Sequence, residues 1–138
     1  MIRFFGGRVM TLANGIETQD IEVWTEGSKI VFVGKPKAEE LDGKVFEREY
    51  DLKGNLLMPS FKNAHTHSAM TFLRSYADDM PLQDWLFKQI FPMEAKLDGE
   101  KVYWLTKLAI LEYLTTGCTA AFDMYFELDD YVKAVSYT

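Results

Sequence analysis

The sequence has little cysteine and little basic charge, and each of these shortages excludes certain classes of protein. It contains one cysteine, Cys118, in 138 residues, which excludes an internal disulfide and a multi-thiolate zinc site. Its 15 Lys and Arg stand against 21 Asp and Glu, for a formal net charge of −6. This balance argues against a nucleic-acid partner, which requires a basic patch. No apolar run reaches the roughly 18 residues of a membrane span, and no signal peptide is recognisable. The sequence therefore predicts a cytoplasmic protein with no membrane partner.

The apolar content indicates a folded chain whose first part is built from strands. Hydrophobic residues make up 48% of the sequence, enough to oppose chain entropy by burial. Turn signals at Asn14-Gly15, residues 26–28 and Asp42-Gly43 separate short β-branched or alternating runs, clearest at 29–34 and 45–52. Residues 1–57 are therefore predicted to form a small β domain of the sandwich or barrel type.

From residue 58 onward the pattern changes to strands alternating with helices. We expect a strand over 57–61 that runs into a loop, and a helix from Pro81 that Pro92 bends or ends. A second helix over 100–116 is stopped by Gly117, a buried strand covers 119–123, and a third helix covers 128–137. This order predicts the start of a parallel α/β sheet in a second domain, residues 58–138.

The two histidines of the chain, His65 and His67, are separated by one residue. In a strand, residues two apart point to the same face, so both imidazoles could bind one metal ion. The alternative is that both are surface histidines in a loop. The pair follows an apolar strand and precedes a helical region, and active sites gather at such strand ends in α/β folds. This context favours a metal site, with Thr66 pointing away from it in a structural role.

The segments around this pair resemble the amidohydrolase superfamily, and within it the 5-methylthioadenosine/S-adenosylhomocysteine deaminase group. Leu57-Met58-Pro59-Ser60-Phe61-Lys62-Asn63-Ala64-His65-Thr66-His67 is similar to the first barrel strand of the superfamily. Further similarity to the deaminase group lies in residues 69–74, 77–79, 82–86, 90–97 and 121–125. Guanine deaminases and chlorotriazine hydrolases share much of this stretch.

The resemblance implies a fold, a cofactor and a reaction. The fold would be a (β/α)₈ (TIM) barrel beside a small β-sandwich, with residues 1–57 as the amino-terminal half of the sandwich and 58–138 as the first βα units. One zinc or iron ion would be held by His65 and His67 together with later residues. It would activate a water that replaces the amino group of a nucleoside. Glu94, which follows Phe-Pro, would bind the ribose hydroxyls, whereas without the resemblance it would be a solvated helix carboxylate.

Other residues have competing interpretations. Trp85 could wall a pocket, but its helical spacing with Leu82 and Leu86 is typical of core. Asp123 ends a predicted strand and could line the barrel mouth or cap the following helix. Arg74 is expected to pair with a carboxylate. Cys118 is expected to be a small side chain that packs in the core. Asp78 and Asp79 are expected to be loop or cap residues.

The chain departs from the pattern in two ways. A (β/α)₈ barrel takes about 250 residues, and a catalytic zinc needs three protein ligands where this chain has two histidines. We therefore expect an amino-terminal part of a longer protein, inactive alone, whose catalytic residues and further ligands lie beyond residue 138. Partners would be a nucleoside or heterocycle and either the missing remainder of the barrel or a second copy. A non-catalytic role through a partner chain is the alternative.

Single positions also differ from the family pattern. Ser60 and Ser75 stand where glycine is usual, and Lys62 replaces an aliphatic residue on the face opposite His65.

Overall fold

The computed structural model describes residues 1–13 and 15–136. Residues 1–59 form one unit and residues 60–138 a second. Strands dominate the first unit and helices alternate with strands in the second, so the chain is mixed α/β. Within the described ranges, no helix combines the length and the apolar character needed to cross a membrane.

The first unit is built from two sheets. Its strands are β1 (Ile2–Phe5), β2 (Arg8–Thr11), β3 (Glu17–Gln19), β4 (Glu22–Glu26), β5 (Lys29–Gly34), β6 (Arg48–Asp51) and β7 (Leu56–Leu57). One sheet has the order β5-β4-β1-β6 and the other β3-β2-β7. β1 pairs antiparallel with β4 and parallel with β6, while β4 and β5 form a hairpin. A short helix, α1 (Ala38–Leu41), separates β5 from β6.

The core of this unit gathers around Trp24, whose ring is only 3% exposed. Its indole stacks on Phe32 with ring centroids 4.1 Å apart and meets Phe46 edge-on at 5.2 Å. Such aromatic pairs add stabilisation beyond the area they bury. The alternation of the predicted strand over 45–52 therefore reflects Phe46 packing on the core, although the ladder itself extends only over Arg48–Asp51. The predicted turn at Asn14-Gly15 depends on Asn14, which lies outside the described residues.

The second unit alternates strands with helices. Its elements are β8 (Phe61–Thr66), a 3₁₀ helix (Ser68–Leu73), α2 (Leu82–Asp84), a π-helical segment (Trp85–Ile90), α3 (Phe91–Glu94), α4 (Gly99–Thr115), β9 (Cys118–Asp123) and α5 (Leu128–Ser136). β8 and β9 pair in parallel, with Phe61 opposite Cys118 and Thr66 opposite Asp123. α4 packs against the 3₁₀ helix, α5 and β9. The predicted order of elements and the parallel pairing are confirmed. The last predicted helical residue, Tyr137, lies outside the described residues.

The ends of α4 follow from its flanking residues. Asp98 accepts a hydrogen bond from the Lys101 backbone N–H at 3.0 Å, which caps the first turn. Gly117 follows the last turn with φ +80°, a left-handed conformation that glycine adopts without a Cβ penalty. The prediction that Gly117 stops this helix is confirmed.

The prediction that Pro92 ends its helix is wrong, whereas the alternative, that Pro92 bends the helix, stays a prediction. Helical structure runs from Leu82 to Glu94 through Pro92. Residues Trp85–Ile90 form a π turn, in which the Phe91 N–H bonds to the Leu86 carbonyl five residues back. Pro92 then occupies the first turn of α3, where a missing N–H leaves no hydrogen bond unmade.

Two strand predictions also need correction. The strand predicted over 57–61 is replaced by β7 and β8, because Pro59 between them cannot donate to a ladder. Residues 62–66, predicted as loop, therefore belong to β8. β9 was predicted to be buried, but only Cys118 is buried in it and Phe122 is 77% exposed. The apolar composition of a strand does not determine how much of each of its two faces is covered by neighbouring elements.

Candidate metal and substrate site

The end of β8 presents the two histidines to one region of space. His65 lies in the strand, and His67 follows it directly as the residue before the 3₁₀ helix. Their ring centroids are 5.1 Å apart and their planes are nearly perpendicular, at 82°. Two imidazoles that bind one tetrahedral zinc ion at about 2.0–2.1 Å place their centroids about 5 Å apart. The pair therefore has a spacing that fits two ligands of one ion.

The ring of His67 is oriented by the chain that follows β9. Its Nδ1 lies 2.7 Å from the carbonyl oxygen of Met124. A carbonyl only accepts, so Nδ1 carries the proton and Nε2 of the neutral ring keeps its lone pair. A ligating histidine typically shows this arrangement, in which a second hydrogen bond fixes the tautomer. The ring of His65, by contrast, makes no hydrogen bond to a described residue.

The pair alone does not complete a catalytic metal site. Among residues 1–13 and 15–136, no group of three or more His, Cys, Asp and Glu side chains is arranged to hold an ion. A catalytic zinc site needs three protein ligands and an open position. His65 and His67 therefore fit as two members of such a set.

The residues on both sides of His67 are hydrogen-bonded through their hydroxyl groups. Thr66 Oγ1 lies 2.6 Å from the Tyr113 hydroxyl, and Ser68 Oγ lies 2.8 Å from the same hydroxyl. Both carboxylate oxygens of Asp123 accept from the Ser68 backbone N–H at 3.2 Å. Asp123 therefore caps the 3₁₀ helix after β8. The sequence had left two other roles open for it, lining the barrel mouth or capping the helix after β9. Thr66 points towards α4, which agrees with its predicted structural role.

A cavity of about 370 Å³ adjoins His67 and contains two more of the predicted site residues. Trp85 comes from the π-helical segment and Glu94 from α3, so the continuous helix through Pro92 places both on the same wall. The rest of the lining is mainly apolar: Met70, Leu86, Ile90, Phe91, Met124, Tyr125 and Phe126. An apolar cavity of this size with a few polar groups is typical of a small-molecule site. His65 is the one predicted site residue that does not line it.

Tyr125 places a polar atom beside this cavity. Its hydroxyl is buried and makes no hydrogen bond of standard length and angle to a described residue, although the Glu94 carboxylate lies close to it. Burial raises the pKa of Tyr125 above its usual range, and the nearby Glu94 carboxylate raises it further. The hydroxyl therefore stays protonated and can donate towards Glu94 or a bound ligand. Sequence analysis missed Tyr125, although it lies within the resemblance over 121–125.

Burial also raises the pKa of Tyr131, on α5, to about 12, and the Asp123 carboxylate adds to this shift. Tyr131 is therefore neutral at physiological pH. Tyr113, Ser68 and Tyr131 had no signal in the sequence, because their partners lie far along the chain.

The remaining predicted residues have structural roles. Arg74 forms a two-pronged ion pair with Glu112, with N–O distances of 2.7 and 2.8 Å, which confirms the expected carboxylate partner. Cys118 is buried, as predicted for small packing. The Lys62 ammonium donates to Ser60 Oγ at 3.0 Å and to Thr119 Oγ1 at 3.1 Å, so its charge is solvated by hydroxyls. Asp78 lies in an irregular segment.

Comparison with known proteins assigns the chain to one family. The model of the amidohydrolase family matches residues 56–137, a range that includes both histidines, Trp85 and Glu94. The chain belongs to the amidohydrolase family.

Two curated relatives and one solved structure refine this assignment. A 5-methylthioadenosine/S-adenosylhomocysteine deaminase of Syntrophomonas wolfei is 50% identical over 97 residues, 67% of this chain and 22% of the relative. A 5'-deoxyadenosine deaminase of Methanospirillum hungatei is 56% identical over 85 residues, 62% of this chain and 19% of the relative. The crystal structure of an adenosine deaminase from Xanthomonas campestris with bound zinc matches with a TM-score of 0.90 and 33% identity, covering 99% of this chain and 31% of that one. The chain resembles the amino-terminal part of these deaminases and spans about a fifth to a third of their length.

Proposed function

We propose that this chain provides the first part of a metal-dependent hydrolase that deaminates adenosine-type nucleosides such as 5-methylthioadenosine or S-adenosylhomocysteine. The observation that carries the proposal is the convergence of His67, Trp85 and Glu94 on one cavity beside His65. The similarity to deaminases of this class supports it independently.

The proposal includes a larger fold. Residues 1–57 would be the amino-terminal half of a small β-sandwich, and residues 58–138 the first βα units of a (β/α)₈ barrel. The parallel β8–β9 pair with α4 between the two strands is the repeating unit of such a barrel. The histidines then stand at the carboxyl end of the first barrel strand, where barrel active sites lie.

His65 and His67 would hold a divalent ion, zinc or iron, through their ring nitrogens. The zinc bound in the Xanthomonas campestris structure supports this metal class. A catalytic ion of this kind supplies a water acidic enough to act as a nucleophile near neutral pH. The Met124 carbonyl keeps the proton of His67 on Nδ1 and so leaves Nε2 free to bind. The remaining ligands would come from outside the described residues.

Glu94 would bind the substrate and orient it. A carboxylate accepts hydrogen bonds from two vicinal hydroxyls, as a ribose presents them, and here it stands in a mainly apolar cavity that strengthens such bonds. Trp85 and the apolar lining would contact the flat base and exclude bulk water. Water then adds to the ring carbon that bears the amino group, the C–N bond breaks, and ammonia leaves.

The test is a substrate panel on the full-length protein. Ammonia release would be measured with 5-methylthioadenosine, S-adenosylhomocysteine, adenosine, guanine and a chlorotriazine. We expect activity on the adenosine-type nucleosides. Release from guanine or dechlorination of the triazine, with no turnover of the nucleosides, would overturn the substrate assignment and leave a heterocycle hydrolase.

Two variants separate the roles of the residues. His67→Ala should lose the metal and the activity together. Glu94→Gln should keep the metal and raise KM for nucleosides by tenfold or more, because a charge-assisted hydrogen bond is weakened. Glu100→Gln, at an exposed position of α4, is the matched control and should behave as wild type. An unchanged KM in Glu94→Gln would remove Glu94 from the substrate site.

A further inference from the structure

One tyrosine of α4 is hydrogen-bonded to both neighbours of His67 in the chain. The Tyr113 hydroxyl lies 2.6 Å from Thr66 Oγ1 and 2.8 Å from Ser68 Oγ. Tyr113 stands 45 residues or more from either partner in sequence, so the contact joins the last turns of α4 to the end of β8.

The two bonds can form at the same time. A phenol has one proton to donate and lone pairs to accept, and each partner hydroxyl can rotate to take the complementary role. Ser68 is 2% exposed, so water does not compete strongly for its hydroxyl. Bonds within a buried network of this kind are also stronger than isolated ones in water.

Because the bonds lie on both sides of His67, they restrain its backbone from two directions. The Asp123 carboxylate holds the Ser68 N–H, and the Met124 carbonyl holds the His67 ring. Without Tyr113 the ring would keep its tautomer, but the residues on either side of it would lose their side-chain hydrogen bonds to α4.

We infer that Tyr113 is a positioning residue for the metal site, acting through Thr66 and Ser68 to hold His67 in the orientation that binds the ion. This inference rests on the proposed function, since it presupposes that His67 is a metal ligand. Groups that orient a ligand from the second coordination sphere typically change metal affinity by about 10–100-fold when removed.

The experiment measures the zinc dissociation constant of the full-length protein by competition with a chromophoric chelator. Tyr113→Phe removes one hydroxyl and keeps the ring, and we expect affinity to fall about tenfold. Tyr103→Phe is the matched control, because Tyr103 lies on the same helix and its ring contacts Trp104 and Lys107 rather than the strand end. It should leave affinity within about twofold. Thermal unfolding of the metal-free proteins checks that each is folded at the assay temperature.

A double variant tests the route of the effect. Thr66→Val with Ser68→Ala removes both partner hydroxyls and keeps the Ser68 backbone bond to Asp123. Adding Tyr113→Phe to this background should then change the dissociation constant little, since the bonds are already absent. A full tenfold loss in that background would overturn the inference. If Tyr113→Phe fails to fold, the Thr66→Val, Ser68→Ala variant alone should show the same loss of affinity, and an unchanged affinity there would overturn it.

The outcome for His67 separates this inference from the proposed function. Unchanged affinity in Tyr113→Phe, alongside lost binding in His67→Ala, overturns only the role of Tyr113. A wild-type protein that binds no zinc, or a His67→Ala variant that binds it normally, overturns the metal site and this inference with it.

Discussion

The Nδ1 atom of His67 lies 2.7 Å from the carbonyl oxygen of Met124. The contact joins the residue after β8 to the residue after β9, so the parallel pairing of these strands sets the orientation of the imidazole. Because the acceptor is a backbone carbonyl, its position does not depend on a side-chain rotamer. The ring is therefore oriented before any ion binds, and ion binding costs less conformational entropy.

The first prediction concerns the tautomer of this ring. In the neutral ring of the metal-free protein, His67 should carry its proton on Nδ1, whereas His65 should show a mixture of tautomers. Long-range ¹H–¹⁵N NMR distinguishes the two nitrogens. Added zinc should shift the Nε2 resonance of His67 and leave Nδ1 protonated. A protonated Nε2 in the metal-free state would contradict the hydrogen bond to Met124.

The second prediction compares two tyrosine-to-phenylalanine changes. Tyr125→Phe removes a buried hydroxyl that makes no hydrogen bond of standard length and angle to a described residue, so the free energy of unfolding should change by less than about 1 kcal/mol. Tyr113→Phe removes a hydroxyl with two partners and should lower it by about 1–2 kcal/mol. Urea unfolding measures both. A loss of more than about 1 kcal/mol in Tyr125→Phe would show that its hydroxyl is hydrogen-bonded in solution.

The elements that could be predicted from the sequence are those whose boundaries are marked by residues next to them in the chain. The helix predicted over 100–116 is bounded by Asp98, which caps its first turn, and by Gly117, which stops it. Both residues lie next to the helix in the sequence, and the structure has the helix at Gly99–Thr115. The continuation of the helix through Pro92 was missed, because a proline lacks the N–H that an α-helix needs. Here a π turn precedes it, and no local sequence pattern indicates such a turn. The role of His65 and His67 as ligands stays a prediction.

The network around His67 could not be read from the sequence. Tyr113, Ser68 and Asp123 meet only when β8, α4 and β9 have assembled, and each has an ordinary composition and spacing in its own segment. The shared cavity of Trp85 and Glu94 likewise depends on the continuous helix. Resemblance named Glu94 as a site residue, but its neighbour Tyr125 emerged only from burial of the hydroxyl.

The third prediction is a pH dependence in the first unit. Arg3 donates to both carboxylate oxygens of Glu22, at 2.7 and 2.6 Å, and the Trp24 indole N–H donates to the same group at 2.9 Å. The hydrogen bonds from Arg3 are the main cause that lowers the pKa of Glu22. A carboxyl whose pKa is lowered by folding stabilises the protein above its unfolded pKa of about 4.3. That stability is lost as the pH falls through the folded pKa.

Glu22→Gln tests this contribution. The free energy of unfolding at pH 7 should fall by about 1–3 kcal/mol, because the partly buried Arg3 loses one of its two charged partners and keeps only Glu49. Its decline below pH 5 should also become shallower. Fluorescence of the buried Trp24 follows this unit during urea unfolding once Trp85 and Trp104, which lie in the second unit, are replaced by phenylalanine in every variant. Glu26→Gln, at an exposed position, is the control and should keep the wild-type slope. Equal slopes in the two variants would contradict the role of the Arg3–Glu22 pair.

The fourth prediction concerns backbone strain at Ser75. Its φ is +58°, in the left-handed region that costs an L-residue roughly 1–2 kcal/mol. Ser75→Gly relieves this cost and adds unfolded-state entropy, so the free energy of unfolding should rise by up to about 1 kcal/mol. Ala95→Gly is the control in the same unit, because Ala95 has a helical φ of −60° and should lose about 0.5–1 kcal/mol. If both glycine variants lose stability equally, Ser75 is not strained in solution.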